Sequence, residues 1–223
     1  MTELAVDSTV SEEHVLLHEL NHRVNNEFAS AISVVSLAAA RSSDNDVKTA
    51  LTGVTQLLHH YADVHRALQM PEHGDGELNA EAYLRRLCLA ISKSYLDNKN
   101  IKLSLAIQPL LLPADTTWRL GMIVYELIIN AMRHAFARGG GEIRLAVRRD
   151  GALVKCGVRD DGSAAATIRP GHGLKIVDAL SRALGGRFVQ ILGPHGSTSL
   201  LIFPSADAAN DRPAKRGNVK WRG

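Results

Sequence analysis

Three polar residues recur at intervals of four in an otherwise apolar stretch near the middle of the chain. Glu126, Asn130 and His134 lie within Tyr-Glu-Leu-Ile-Ile-Asn-Ala-Met-Arg-His-Ala-Phe, which spans residues 125–136. On a helix, this spacing stacks the three side chains on one face. The amide can bind a magnesium ion, the carboxylate can hold water or accept a proton, and His134 or Arg133 can meet phosphate. Taken alone, the same pattern is typical of a helix with a solvated polar face.

Two glycine-containing segments follow this stretch and change its meaning. Asp160, with Gly162 two residues on, comes at the end of a predicted strand. A carboxylate there can accept a hydrogen bond from the exocyclic amine of a buried base. Gly171 and Gly173 then open a predicted helix, whose free backbone amides favour phosphate. An ordinary turn and a spacer loop are the alternatives, but with the polar stripe the segments predict a site for a nucleotide and its magnesium ion.

The elements that position these residues fall into two parts. Residues 11–41 and 46–69 carry apolar residues at mostly helical spacings and predict an antiparallel helical hairpin. Two helices cannot bury a two-sided apolar surface between themselves, so we expect a homodimer with a four-helix bundle. The linker at 71–76 is rich in helix breakers and predicts a domain boundary. The predicted parts are a flexible N-terminus (1–10), a dimerisation hairpin (11–70), an α/β domain that carries the nucleotide site (77–204) and a basic, disordered tail (205–223).

Beyond the linker, helical and strand patterns alternate in a mixed order. This order predicts an α+β fold in which helices cover one face of a sheet. The predicted helices span residues 79–96, 114–138 and 173–184, and the predicted strands span 101–107, 141–149, 153–158, 186–192 and 197–203.

Charge and composition exclude several classes of protein. The formal charge of +3 arises from a short tail, because five basic residues follow the last acidic residue, Asp211. The rest of the chain has no basic excess, so we expect no nucleic-acid partner. Cys88 and Cys156 lie in apolar segments without paired spacing, which predicts buried, reduced thiols in a cytoplasmic protein. No apolar run is long enough for a membrane span, and the N-terminus does not resemble a signal peptide.

The motifs resemble those of a known family. The segments at 125–136, 160–162 and 171–173 look like the N, G1 and G2 boxes of the GHKL, or Bergerat, ATPase fold of bacterial sensor histidine kinases. Glu-Leu-Asn-His-Arg-Val-Asn-Asn at 19–26 resembles the phosphoacceptor helix of the subgroup with a His-Arg-x-x-Asn signature. This subgroup is related to the HWE kinases. The resemblance covers about residues 14–204 and implies a dimeric helical bundle followed by an ATP-binding α/β sandwich.

The resemblance also implies roles for individual residues. His22 would be the phosphoacceptor, Asn130 would bind magnesium through ATP, and Asp160 would read adenine. The implied nucleotide contacts are Asn130, Arg133, His134, Asp160, Gly162, Gly171, Gly173 and Thr198.

The chain departs from the family pattern in three places. Ala164 stands where the G1 box has a second glycine, which removes one flexible position from the lid loop. Arg133 replaces the usual lysine and keeps its charge. The Trp-x-Glu signature of strict HWE members has no counterpart near residues 154–158, which favours the sister subgroup.

The expected activity is that of a histidine autokinase in a two-component system. A neutral nitrogen of the His22 imidazole would attack the γ-phosphoryl group of ATP, with Glu126 or Glu19 accepting the imidazole proton. The phosphoryl group would pass to an aspartate on a response-regulator receiver domain, and we expect input from a separate sensory protein. The alternative is a non-catalytic histidine phosphotransfer protein whose ATPase-like domain is degenerate and whose His22 receives phosphate from another protein.

A second motif overlaps the first helix. His18, Glu19 and His22 spell the His-Glu-x-x-His pattern of zinc proteases. The nearest third ligand, His14, lies on the same predicted helix. One straight helix cannot surround a tetrahedral ion with three such residues, so we disfavour the zinc interpretation.

Overall fold

The computed structural model describes residues 4–70, 76–136, 139–163 and 172–205, with side chains from residue 19 onward. The chain divides into two compact units, Met1–Gln69 and Met70–Gly223. Gly171 and Ala164, which bear on the predicted lid, lie outside the described residues, as does the basic tail from residue 206.

The first unit is a helical hairpin of α1 (Leu4–Arg41) and α2 (Asn45–Ala67). Asp44 caps the second helix, because its side chain accepts hydrogen bonds from two backbone amides of the first turn. The first helix begins at Leu4 rather than at the predicted residue 11, since no glycine or proline interrupts the intervening segment. Among the hairpin side chains that the structure describes, from residue 19 onward, three small or branched ones are buried: Ala39, Ala62 and Val64.

The hairpin leaves much of its apolar surface exposed. From residue 19 onward, five large apolar side chains of α1 and α2 are between 45% and 66% exposed: Leu20, Val34, Leu37, Val47 and Val54. The described part of the chain contains no helix that is both long enough and apolar enough to span a membrane.

The second unit contains three α-helices and seven strands among the described residues. The helices are α3 (Ala80–Ile91), α4 (Ala114–His134) and α5 (His172–Ala183). The strands are β1 (Glu77–Asn79), β2 (Ile101–Ile107), β3 (Leu111–Pro113), β4 (Gly141–Asp150), β5 (Leu153–Asp160), β6 (Arg187–Gly193) and β7 (Gly196–Pro204).

Five strands form one mixed sheet in the order β2-β4-β5-β7-β6. The β2–β4 pair is parallel, and the remaining pairs are antiparallel. Alternate residues of the two strands β4 and β5 are buried, as Ile143, Leu145 and Val147 are on β4. The core lies between this face and the helices, where Leu120, Ile123 and Ile128 of α4 are fully buried, as are Leu84, Leu87 and Ile91 of α3. A helical hairpin followed by an α/β sandwich confirms the predicted α+β fold class.

The element boundaries differ from the prediction in several places. The segment predicted as one helix over 79–96 is an α-helix only as far as Ile91, and a wider π-helical turn follows over Ser92–Leu96. Asn79 caps the start of the α-helix, because its side chain accepts a hydrogen bond from the backbone amide of Ala82. The helix predicted to end at residue 138 ends at His134. A two-stranded sheet of β1 and β3 was not predicted, because strands of three residues carry no usable periodicity.

Close packing between α3 and α4 depends on a glycine. A Cβ atom at Gly121 would lie 2.5 Å from Cε1 of Tyr83, which is only 5% exposed. We expect Gly121→Ala to lower the free energy of unfolding by about 1–3 kcal/mol, because the buried ring has little room to move.

Gly53 provides the matched control for this prediction. It also lies inside a helix, but a Cβ there would meet nothing within 4 Å. We expect Gly53→Ala to raise helix stability by up to about 1 kcal/mol. Urea denaturation followed by circular dichroism measures both changes, and equal effects of the two substitutions would contradict the packing argument.

Candidate active site

A buried carboxylate lies at the end of β5. Asp160 is 2% exposed, and its Oδ1 accepts from the backbone amides of Gly162 and Ser197, each at 3.2 Å. The hydroxyl of Ser197 donates to Oδ2. These donors fix the orientation of the carboxylate and offset the cost of burying it, while Oδ2 can still accept a further hydrogen bond.

Opposite this carboxylate, α4 presents a buried amide. Nδ2 of Asn130 is buried and has no hydrogen-bond partner among the described residues. A buried amide without a partner costs free energy, so it indicates a group that a ligand completes.

Asn130 and Asp160 open into the same cleft, which is continuous with solvent. The lining residues are Leu127, Asn130, Ala131, His134 and Ala135 on one side and Val158, Asp160, Gln190, Ser197 and Ser199 on the other.

The first turn of α5 packs directly on the polar stripe of α4. A Cβ at Gly173 would overlap Oε2 of Glu126 and would lie 3.5 Å from Nδ2 of Asn130. The first turn of a helix offers backbone amides without intrahelical partners, so an anion is favoured beside these two side chains. A side chain at this position would have to displace the carboxylate of Glu126.

The segment after β5 crosses the end of α4. The backbone amide of Ser163 donates to the carbonyl of Ala135 at 3.0 Å, and a Cβ at Gly162 would overlap that same carbonyl. Gly162 therefore permits the chain to leave the sheet close to Asp160 and to the end of the polar helix.

The electrostatics of the stripe centre on Glu126. Burial raises the pKa of this half-buried carboxyl, and the nearby positive charge of Arg133 offsets part of the increase. Arg133 itself is exposed and does not line the cleft, whereas His134 is exposed at the cleft rim.

Thr198, which was predicted to contact the nucleotide, does not line the cleft. Thr198 is exposed on the outer face of β7, while Ser197 and Ser199 line the cleft. Side chains alternate between the two faces of a strand, so a shift of one residue moves the contact out of the site. The buried Leu201 and Phe203 indicate the correct parity, since they share a face with Ser197 and Ser199.

The predicted phosphoacceptor lies on α1 in the first unit. His22 is exposed on this helix, and Glu19 accepts a hydrogen bond from Nε of Arg23 at 2.9 Å. The side chains of His14 and His18 lie outside the described ones. Within the ranges that the structure describes, no three His, Cys, Asp or Glu side chains are grouped so that they would hold a metal ion.

Family comparison accounts for both units. A model described as histidine kinase matches residues 19–95, and a model described as histidine kinase-like ATPase domain matches residues 103–190. The chain belongs to the histidine kinases. The first matched region contains His22, and the second contains Asn130 and Asp160 of the cleft. Both matches fit the predicted subgroup of histidine kinases that is related to the HWE kinases.

Curated histidine kinases have similar sequences. Blue-light-activated histidine kinase 2 of Erythrobacter litoralis is 29% identical over 153 residues, which are 66% of this chain and 43% of that protein. Sensor histidine kinase PdtaS of Mycobacterium tuberculosis is 25% identical over 158 residues, which are 70% of this chain and 31% of that protein. The chain thus spans less than half the length of these relatives.

Solved structures share the fold. The histidine kinase domain of Erythrobacter litoralis EL346 blue-light activated histidine kinase has a TM-score of 0.60 at 21% identity, covering 82% of this chain and 97% of that one. A bacterial phosphotransferase has a TM-score of 0.56 at 10% identity, covering 90% of this chain and 97% of that one.

The raised pKa of Glu126 predicts a cost to stability at neutral pH. The folded protein retains the Glu126 proton to a higher pH than the unfolded chain, whose ordinary value is 4.5. Stability is therefore lost as the pH rises through the folded pKa. We expect Glu126→Gln, without nucleotide, to raise the melting temperature at about pH 7 and to have little effect at about pH 4.

Glu142 supplies the control with the opposite sign. Hydrogen bonds from Arg144 and Ser104 lower the pKa of Glu142 to about 2, so its contribution to stability is present above its ordinary value and is lost as the pH falls towards that lowered pKa. We expect Glu142→Gln to lower the melting temperature at neutral pH. Thermal melts across this pH range measure both variants, and a destabilised Glu126→Gln form would contradict the prediction.

Proposed function

We propose that this chain is an ATP-dependent protein-histidine autokinase of a two-component system, which phosphorylates its own residue His22. The observation that carries the proposal is the unpartnered, buried Asn130 amide in a cleft shared with Asp160 and adjoining Gly173. The acceptor Asp160 matches the amine of the base, and the first turn of a helix matches the phosphates of ATP. The unpartnered Nδ2 of Asn130 is a donor that also suits a phosphate oxygen, while the side-chain oxygen of the same amide suits the magnesium ion.

Each group of the cleft would bind a different part of ATP. Asp160 would accept from the exocyclic amine of adenine, and Asn130 would place its side-chain oxygen on magnesium. The backbone around Gly173 would meet the phosphates, with Arg133 and His134 supplying nearby donors. Bound ATP would supply the γ-phosphoryl group as the electrophile, and positioning with charge neutralisation would supply most of the catalysis.

At the phosphoacceptor, a neutral imidazole nitrogen of His22 would form the bond to phosphorus. The bond from the γ-phosphorus to the bridging oxygen would break, with its electron pair leaving on ADP, and the imidazole proton would pass to a carboxylate. The raised pKa of Glu126 favours it as the acceptor, whereas Glu19 is engaged with Arg23. The phosphoryl group would then pass to an aspartate of a response-regulator receiver domain.

Radiolabelled ATP tests the kinase proposal. With γ-labelled ATP and magnesium, we expect acid-labile label on the wild type and none on His22→Ala. Asn130→Ala should lower the labelling rate by about a hundredfold, because charge on the transferred group loses its counterion. His59→Ala, which changes an exposed histidine on the second helix of the hairpin, should label like the wild type.

The same assay separates the kinase from the phosphotransfer protein. A wild-type chain that takes no label and binds no nucleotide, yet accepts phosphate at His22 from a phosphorylated receiver domain, would replace the kinase proposal with the phosphotransfer one. Label that persists on His22→Ala would contradict the assigned phosphoacceptor.

A second copy of the chain is the partner that we propose for the hairpin. Val34 and Leu37 lie on one face of α1 and are 66% and 50% exposed, which is unfavourable for a soluble helix pair. A four-helix bundle with a second hairpin would bury them.

Sedimentation equilibrium tests this assembly. The wild type should have the mass of a dimer, and Val34→Arg should shift it to a monomer because burying the new charge is unfavourable. Val189→Arg alters a valine of the second unit that is also 52% exposed, and it should leave the mass unchanged. A monomeric wild type would contradict the dimer.

A further inference from the structure

The inner wall of the cleft carries a polar pair that no step of the proposed reaction uses. Gln190 of β6 and Ser199 of β7 are directly opposite each other in the sheet, and Nε2 of Gln190 donates to Oγ of Ser199 at 3.2 Å. Ser199 is 4% exposed. Both side chains line the cleft beside Asp160 and Ser197.

The pair replaces apolar packing at a position where apolar packing is expected. The next residues on the same face of β7, Leu201 and Phe203, are fully buried and apolar, as is Val158 beside the cleft on β5. Buried polar groups cost free energy unless they are hydrogen-bonded. The one bond between Gln190 and Ser199 leaves the serine hydroxyl proton and the second amide proton without partners among the described residues. These two donors face the same cleft as the acceptor Asp160.

We propose that Gln190 and Ser199 form a second hydrogen-bonding contact to the nucleobase and make the site selective for adenine. This inference rests on the proposed ATP site and extends it. Adenine carries an amine donor beside ring nitrogens that accept, so the acceptor Asp160 and the two donors of the pair match it. Guanine carries a proton on its N1 nitrogen and therefore presents a donor where the pair also donates, which disfavours it.

Binding of base analogues tests the proposal on the complete chain. Calorimetry with magnesium would measure the binding of ADP, its 1-deaza and 7-deaza analogues, GDP and the purine riboside diphosphate that lacks the exocyclic amine. The wild type should bind at least one deaza analogue about five- to tenfold more weakly than ADP, as expected for one lost hydrogen bond. It should also bind GDP more weakly than ADP.

Removing the pair should abolish the penalty for the deaza analogue and leave the contact of Asp160 with the amine in place. In Gln190→Leu/Ser199→Ala, ADP and the deaza analogue should bind with similar affinity, and the preference for ADP over GDP should narrow. The penalty for the analogue without the amine should persist, because Asp160 reads that group. Ser104→Ala removes a serine hydroxyl that bonds Glu142 on the opposite face of the sheet, and it should keep the wild-type pattern.

Three outcomes would overturn the inference. One is a double variant that retains the deaza penalty, and another is a double variant that weakens every nucleotide by the same factor, as a purely structural role would. In both cases ADP binding by the wild type leaves the kinase proposal standing. A wild type that binds no ADP would remove both. Thermal melts check folding, and the single Ser199→Ala variant serves if the double variant does not fold.

Discussion

The ATPase-like second unit depends on how one buried carboxylate, Asp160, is held. Asp160 lies at the end of a central strand, where an ionised group is expensive unless donors surround it. Its donors come from its own turn, through Gly162, and from the neighbouring strand, through Ser197. The turn of the β6–β7 hairpin must therefore reach the end of β5, and Gly196 makes this approach with a φ of 120° and no side chain to obstruct it.

The other wall of the cleft follows from the apolar pattern of α4. Burial of Ile123, Leu127 and Ile128 against the sheet rotates Asn130 towards Asp160 and leaves Glu126 facing the start of α5. The helix is thus fixed by its apolar side, while its polar side is incompletely satisfied. Proteins retain such local costs chiefly where a ligand compensates for them, which is why the cleft indicates function more strongly than any single motif.

Sequence reasoning succeeded for elements long enough to show several helical turns. It failed where the outcome depended on which face of a strand a residue occupies, or on a single residue. The twenty or so residues of α4 carry enough turns to predict the stripe of Glu126, Asn130 and His134. In contrast, Thr198, which was predicted to contact the nucleotide, faces away from the cleft that its neighbour Ser197 lines, because the face of a strand reverses with a single residue. Gln190 was missed since a lone polar residue in an edge strand carries no signal, and its role depends on a cross-strand partner that only the register of the sheet defines.

The placement of Ser197 links nucleotide binding to the completion of the fold. It lies on β7, the last strand that the structure describes, and β7 pairs with β5 across an intervening stretch that includes α5 and β6. As a chain is synthesised, Asp160 emerges well before the hydroxyl that orients it, so the cleft lacks part of one wall until β7 has paired with β5. Any ligand that binds in this cleft would therefore stabilise only the form in which β7 is correctly paired.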